Sequence, residues 1–203
     1  MLLTIDRDNR NSEHQALRAM FEARKRIFVD LLKWDIPVLA GRFEVDQFDD
    51  AHATYLIVAD EAGNHLASAR LLPTTRPALL DTVYPHLVSG EVPRGPAIFE
   101  VTRFCLSRDA TAAERRTGRD RLLVGLVEHA LASGIATYTG VADLSWFRQI
   151  QCFGWDCEAL GEPMVEGGHS LTALRISIDA STPARLAATG IAVRELPHAA
   201  RAA

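Results

Sequence analysis

Charged residues stand where a plain fold would place apolar side chains, and they fall in a specific order along the first half of the chain. Arg24 lies on the apolar stripe formed by Met20, Phe21, Ile27 and Phe28. Trp34 follows, then Glu44-Val45-Asp46-Gln47-Phe48-Asp49, whose acids alternate with apolar residues. Arg70 sits inside Ala67-Ser68-Ala69-Arg70-Leu71-Leu72, and Glu100-Val101-Thr102-Arg103-Phe104 forms another apolar stretch with charges in it. A charge taken out of water is costly unless it is paired or used. Such a set reads as a polar site for a small zwitterionic ligand. The acids suit an amine or a sulfonium, and a guanidinium fork suits a carboxylate.

Plainer readings stand beside this one. Arg24 can pack its stem and send its head to solvent. Glu44, Asp46 and Asp49 can form a solvated loop face. Arg70 needs a partner only if it faces inward, and the sequence leaves its facing open. Glu100 and Arg103 are three apart, and strand side chains alternate faces. They share a site only if a β-bulge falls between them; otherwise Arg103 pairs elsewhere and Glu100 works alone. Arg115-Arg116-Thr117-Gly118-Arg119 and Arg121 open a helix, as a phosphate site or as a solvated helix start. Gly-x-Ser-x-Gly, Walker and Gly-x-Gly-x-x-Gly motifs are absent.

The elements that must position these residues follow from periodicity. Residues 1–5 suit a short strand. Ser12 with Gln15 has capping-box spacing, and Leu17, Met20, Phe21, Ile27, Phe28 and Leu31 recur at helical spacing after it. Residues 32–52 read as irregular, a length typical of a functional loop. Strands are expected at 53–60 and 65–72 around the turn 61–64, a short helix within 77–88, and a strand at 97–106. A helix at 114–132 should bury Leu122, Leu123, Leu126, Val127, Ala130 and Leu131. A strand at 135–141, a helix at 144–153, strands at 155–160 and 170–178, and a helix at 181–188 complete the set. The expected fold class is α/β, a mixed sheet with helices on both faces. No repeat or linker divides residues 1–203, so one domain is expected, with a loose tail from about residue 195.

Bulk properties narrow the function. The chain has 203 residues, 48% hydrophobic and 24% charged, which suits one globular domain with a sizeable core. A net charge of -4 gives no global attraction to nucleic acid or to an anionic membrane. No apolar run approaches the roughly 20 residues of a membrane span, and the N-terminus shows no secretion signal. Cys105, Cys152 and Cys157 lack paired spacing and read as free thiols of a cytoplasmic protein. The 7 histidines form no ligand pairs, so no metal is expected.

Taken together, the charged and aromatic positions closely resemble the acyl-homoserine lactone synthases of the LuxI type, bacterial makers of quorum-sensing signals. The matching residues are Arg24-x-x-x-Phe28, Trp34, Glu44-x-Asp46-x-x-Asp49, Arg70 and Glu100-x-x-Arg103-Phe104. The stretches 69–77, Tyr138-Thr139-Gly140-Val141 and Gly154-Trp155 also look like the family, and the likeness covers roughly 10–180. Tyr84 and Phe99 depart mildly, standing where Phe and Trp are common.

The resemblance implies the αβα sandwich shared with GNAT-type acetyltransferases, with a splayed sheet and a bulged central strand. It implies S-adenosylmethionine (SAM) as a substrate and no cofactor. The second substrate would be an acyl thioester on acyl carrier protein, or alternatively an acyl- or aryl-coenzyme A. A GNAT-type N-acetyltransferase is the more distant alternative. Glu100, Arg103, Asp46 and Arg70 would form the catalytic set, with Glu100 as base, directly or through a water. Arg24, Phe28, Trp34, Asp46, Asp49 and Arg103 would hold SAM. Thr139, Trp146, Phe147 and Leu123 would line the acyl chain. By charge alone, and not from the resemblance, Arg115, Arg116, Arg119 or Arg148 would meet the acidic carrier protein.

Overall fold

The computed structural model describes residues 1–192. The expected loose tail lies outside them.

The sheet starts from a hairpin. Strands β4 (Thr54–Ala59) and β5 (His65–Pro73) pair antiparallel. Asp60 closes their turn by accepting the Asn64 N–H at 2.7 Å. Strand β1 (Leu2–Ile5) adds to the outer side of β4, and β6 (Ile98–Leu106) to the inner side of β5. Strand β7 (Thr137–Asp143) runs parallel to β6, so the chain must cross over between them. Helix α3 (Ala112–Ser133) makes that crossing. A Thr111–Glu114 capping box starts it and Gly134, at φ 69°, ends it. Strand β10 (His169–Ser177) pairs with β7 and also carries β8 (Asp156–Ala159) and β9 (Met164–Glu166). The order is β1-β4-β5-β6-β7-β10-β8.

Both faces of the sheet are covered, which is why β4 and β5 read as nearly continuous apolar runs. Leu56 and Val58 of β4 point into the core beneath α3, α4 (Leu144–Gln151) and α5 (Thr182–Ala188). Tyr55 and Ile57 point the other way, onto Leu17 and Met20 of α1 (His14–Arg24). A smaller cluster of Leu80, Leu87 and Ala173 lies under α2 (Leu79–Thr82) and the 3-10 turn Pro85–Leu87.

Two irregularities in the central strands shape the site. First, β6 and β7 pair only from Ile98↔Thr137 to Glu100↔Thr139, then separate. At this fork Gly140 is needed: a Cβ there would stand 3.0 Å from the Val101 carbonyl oxygen. Second, the β5–β6 register slips between Ser68↔Cys105 and Arg70↔Thr102. Arg103 and Phe104 therefore stand against Ala69 alone, and Arg103 takes φ 53°. This is the β-bulge on which a shared face for Glu100 and Arg103 depended.

Several local expectations need correcting. Ser12 and Gln15 do not cap α1; the N-cap is Glu13 without a side-chain bond, and Ser12 Oγ donates instead to the Asn9 carbonyl. Past Arg24 the helix widens into a π-helix over Lys25–Leu31. The 32–52 segment contains a small hairpin of β2 (Val38–Leu39) and β3 (Phe43–Glu44). Leu131, expected in the core, is 43% exposed. Strand β9 escaped notice because it is three residues long and exposed throughout.

Candidate active site

Arg24 lies between Met20 and Phe28 on the face that also carries Leu17, where helical spacing points it into the interior. Its guanidinium is fully buried. Nη1 and Nη2 donate to Asp49 Oδ1 and Oδ2 at 2.8 and 2.9 Å, and Nε donates to Glu44. Burial opposes the charged form, but Asp49 and Glu44 outweigh it and raise the pKa above the ordinary arginine value. The plain reading of Arg24 as a snorkelling side chain is excluded.

Arg70 also faces inward. It grips Asp46 with both terminal nitrogens at 2.6 and 3.0 Å and donates Nε to Thr102 Oγ1 at 2.9 Å. Its Nη1 is also 2.8 Å from Asp49 Oδ1. The bulge turns Arg103 toward the same acids. Its Nε and Nη2 reach Glu44 at 3.2 and 3.1 Å, and Nη2 reaches Asp46 at 2.7 Å. Three arginines and three acids thus form one cross-linked network, so the 44–49 acids are not a solvated loop face. Asp49 shows the balance: burial pushes its carboxyl up, but Arg24 and Arg70 hold it well below the usual carboxylate range.

Arg103 is the most exposed member, at 8%. Its guanidinium lies 5.5 Å from the Phe28 ring centroid and 5.9 Å from that of Trp34. The two rings stack at 4.8 Å, and Trp34 is 38% exposed. The network therefore opens to the surface beside an aromatic pair and one cation, a rim suited to a ligand with apolar and carboxylate parts.

Glu100 stands apart. It is fully buried and makes no ion pair with Arg103. Its oxygens accept the Leu80 N–H of α2 at 3.1 and 3.0 Å. Burial pushes its carboxyl up to about 7, with the α2 amides and Arg70 pulling against that and Asp81 adding to it. A carboxylate so placed exchanges protons near neutral pH, as a general base must. A cavity with room for about one water is lined by Glu100, Thr139, Leu80, Asp81, Arg94 and Thr74, among others.

Thr139 pairs with Glu100 across the fork. Leu123 and Phe147 belong to the core beneath α3 and α4, with Trp146 packed against it. The Trp146 and Phe104 ring centroids lie 5.3 Å apart, so α4 packs against β6 here. Sequence reasoning missed Tyr55, whose hydroxyl donates to Asp49 Oδ1 at 3.0 Å and accepts from Arg10. It also missed Leu80, which acts through its backbone and so leaves no signal in residue type.

A sheet with its central strands splayed and one of them bulged, between helical layers, is the GNAT-like fold. An N-acetyltransferase from Lactobacillus plantarum shares it at TM-score 0.59 and 17% identity, covering 88% of this chain and 99% of that one. The model of the autoinducer synthase family matches residues 8–186. An acyl-homoserine-lactone synthase of Ralstonia nicotianae is 35% identical over 181 residues, covering 86% of this chain and 88% of that protein. Among solved structures, the CoA-dependent acyl-homoserine lactone synthase MesI superposes at TM-score 0.85 and 28% identity, covering 98% and 100% of the two chains. The CoA-dependent synthase BjaI, solved with SAM and isopentyl-CoA, superposes at 0.84 and 27% identity over 94% and 90%. The chain belongs to the autoinducer synthase family, whose members are acyl-homoserine-lactone synthases. It is an enzyme, an acyltransferase.

Proposed function

We propose that this chain acylates the amino group of SAM from a thioester on acyl carrier protein, then closes the lactone with loss of 5′-methylthioadenosine. The observation that carries the reading is the placement of Glu100. A fully buried carboxyl, pushed up to about 7, stands at the fork of β6 and β7 beside a network of buried arginines.

SAM lies against the Phe28–Trp34–Arg103 rim, its carboxylate on Arg103. Arg24, Asp46, Asp49 and Arg70 hold that rim in shape, and the acids attract the incoming ammonium. Glu100 takes a proton from the ammonium, directly or through a water, and the freed amine attacks the thioester carbonyl. Backbone N–H groups at the bulge stabilise the oxyanion. The tetrahedral intermediate collapses, the C–S bond breaks, and the thiolate leaves with a proton. The SAM carboxylate then attacks the carbon next to the sulfonium. That step is intramolecular with a neutral thioether as leaving group, so holding the chain bent is enough. The acyl chain starts at Thr139 and runs through the fork toward Trp146, with Leu123 and Phe147 forming the core behind it.

A second reading, acyl-CoA as donor, is favoured by the CoA-dependence of MesI and BjaI. Parallel kcat/KM measurements with the same acyl group on each carrier decide between them. A carrier-protein preference of tenfold or more supports the first reading, and the reverse preference replaces it with the second.

A further inference from the structure

Glu100 is held from a side that the arginine network does not occupy. Next to Leu80, whose N–H it accepts, stands Asp81. Asp81 Oδ1 accepts the Ala78 N–H at 2.7 Å, and Oδ2 lies 2.9 Å from Arg94 Nη1. Arg94 Nε donates to the Thr74 carbonyl at 3.0 Å. Thr74 Oγ1 donates to the Ile98 carbonyl at 2.7 Å and accepts the Gly95 N–H at 3.0 Å. One arginine therefore ties the end of β5, the start of α2 and the approach to β6 around a single small cavity, which Glu100 also lines.

Few charges face Glu100 across this packing. Among the described residues they are Arg70 from β5, Asp81 from α2, and Arg94 from the segment before β6. Arg70 and the α2 amides favour the carboxylate, whereas Asp81 disfavours it. Arg94 pairs with Asp81 at 2.9 Å. We propose that Asp81 and Arg94 are positioning residues that set how readily Glu100 takes a proton and hold α2 against it. The proposal rests on Glu100 as the base.

The two charges predict opposite effects. Asp81→Asn keeps an acceptor for the Ala78 N–H but removes the negative charge and leaves Arg94 unpaired. The carboxylate is then favoured, and the midpoint falls. Arg94→Gln keeps donors but leaves Asp81 uncompensated, and the midpoint rises. A displacement of about half a pH unit either way is about a threefold change in activity at pH 6 relative to pH 8. A purely structural clamp behaves differently: loosening α2 withdraws the Leu80 N–H in both variants and raises both midpoints.

The test titrates Glu100 in the full chain by carbon-13 NMR of labelled glutamate, assigned with Glu100→Gln. It is run beside pH–rate profiles of the same proteins with SAM and an acyl thioester. Opposite displacements in the two variants, in both measurements, are expected. Displacements in the same direction, or none, overturn the proposal. The NMR titration needs no turnover, so it stands apart from the base reading. Full activity in Glu100→Gln would remove that reading alone.

Discussion

Glu100→Gln should make the protein more stable and inactive at once. The Glu100 carboxyl is pushed up to about 7 from an ordinary value of 4.5, chiefly by burial. Folding therefore favours its neutral form. The stability this group contributes is fully present below about pH 4.5 and is lost as pH rises through 7. At about 1.4 kcal/mol per pH unit, the interval from 4.5 to about 7 corresponds to about 3 kcal/mol. Glutamine cannot ionise and keeps an oxygen for the Leu80 N–H. Its advantage over the wild type should grow from about 1 kcal/mol at pH 5 to about 3 kcal/mol at pH 8. Urea unfolding of both proteins at pH 5, 6.5 and 8 measures this, since groups common to both cancel in the difference. Turnover should fall by about 10²–10⁴-fold. A stability difference that does not grow with pH, or a variant that weakens as pH rises, would refute the burial argument.

Other perturbations separate bracing from ligand contact. Arg24→Met leaves Glu44 and Asp49 buried with fewer partners, and unfolding by denaturant should show a loss of about 3–5 kcal/mol. Asp46→Asn and Arg70→Ala should weaken SAM binding or turnover far more than Glu91→Gln, which lies outside the network; calorimetric titration with SAM and initial rates check this. Asp49 is held below the usual carboxylate range, so its contribution is present above about pH 3.8 and lost as pH falls below that. An Asp49→Asn variant should accordingly show a flatter loss of stability between pH 5 and 3 than the wild type. Trp34→Ala removes an exposed ring stacked on Phe28, so it should cost about 1 kcal/mol of stability or less while raising the KM for SAM several-fold.

The helices and strands that carry strong periodicity are legible in the sequence alone. The apolar runs at 53–60 and 65–72 are β4 and β5, and the 114–132 pattern is α3 with its ends extended. The charged residues were also legible as a set, because Arg24 and Arg70 break apolar patterns that a plain core would keep. Their partners were not. Whether Asp46 meets Arg70 or Arg24 depends on how the 32–52 segment folds back, and the small β2–β3 hairpin that directs it has two-residue strands. The bulge at Arg103 was legible only as a condition, since a register slip belongs to the pairing of two strands and not to either sequence. Ser12 misled because a hydroxyl before a helix can bond backward to a carbonyl as readily as forward to an amide. The grip of α2 on Glu100 runs through a backbone N–H, which any residue but proline supplies.

The most direct test is the product itself. Purified protein is incubated with SAM and with parallel panels of acyl carrier protein and coenzyme A thioesters, and the products are identified by mass spectrometry. Acyl-homoserine lactone and 5′-methylthioadenosine in equal amounts, abolished by Glu100→Gln, are the predicted result. Acylated product without methylthioadenosine, or lactone formation that survives Glu100→Gln undiminished, would contradict the account.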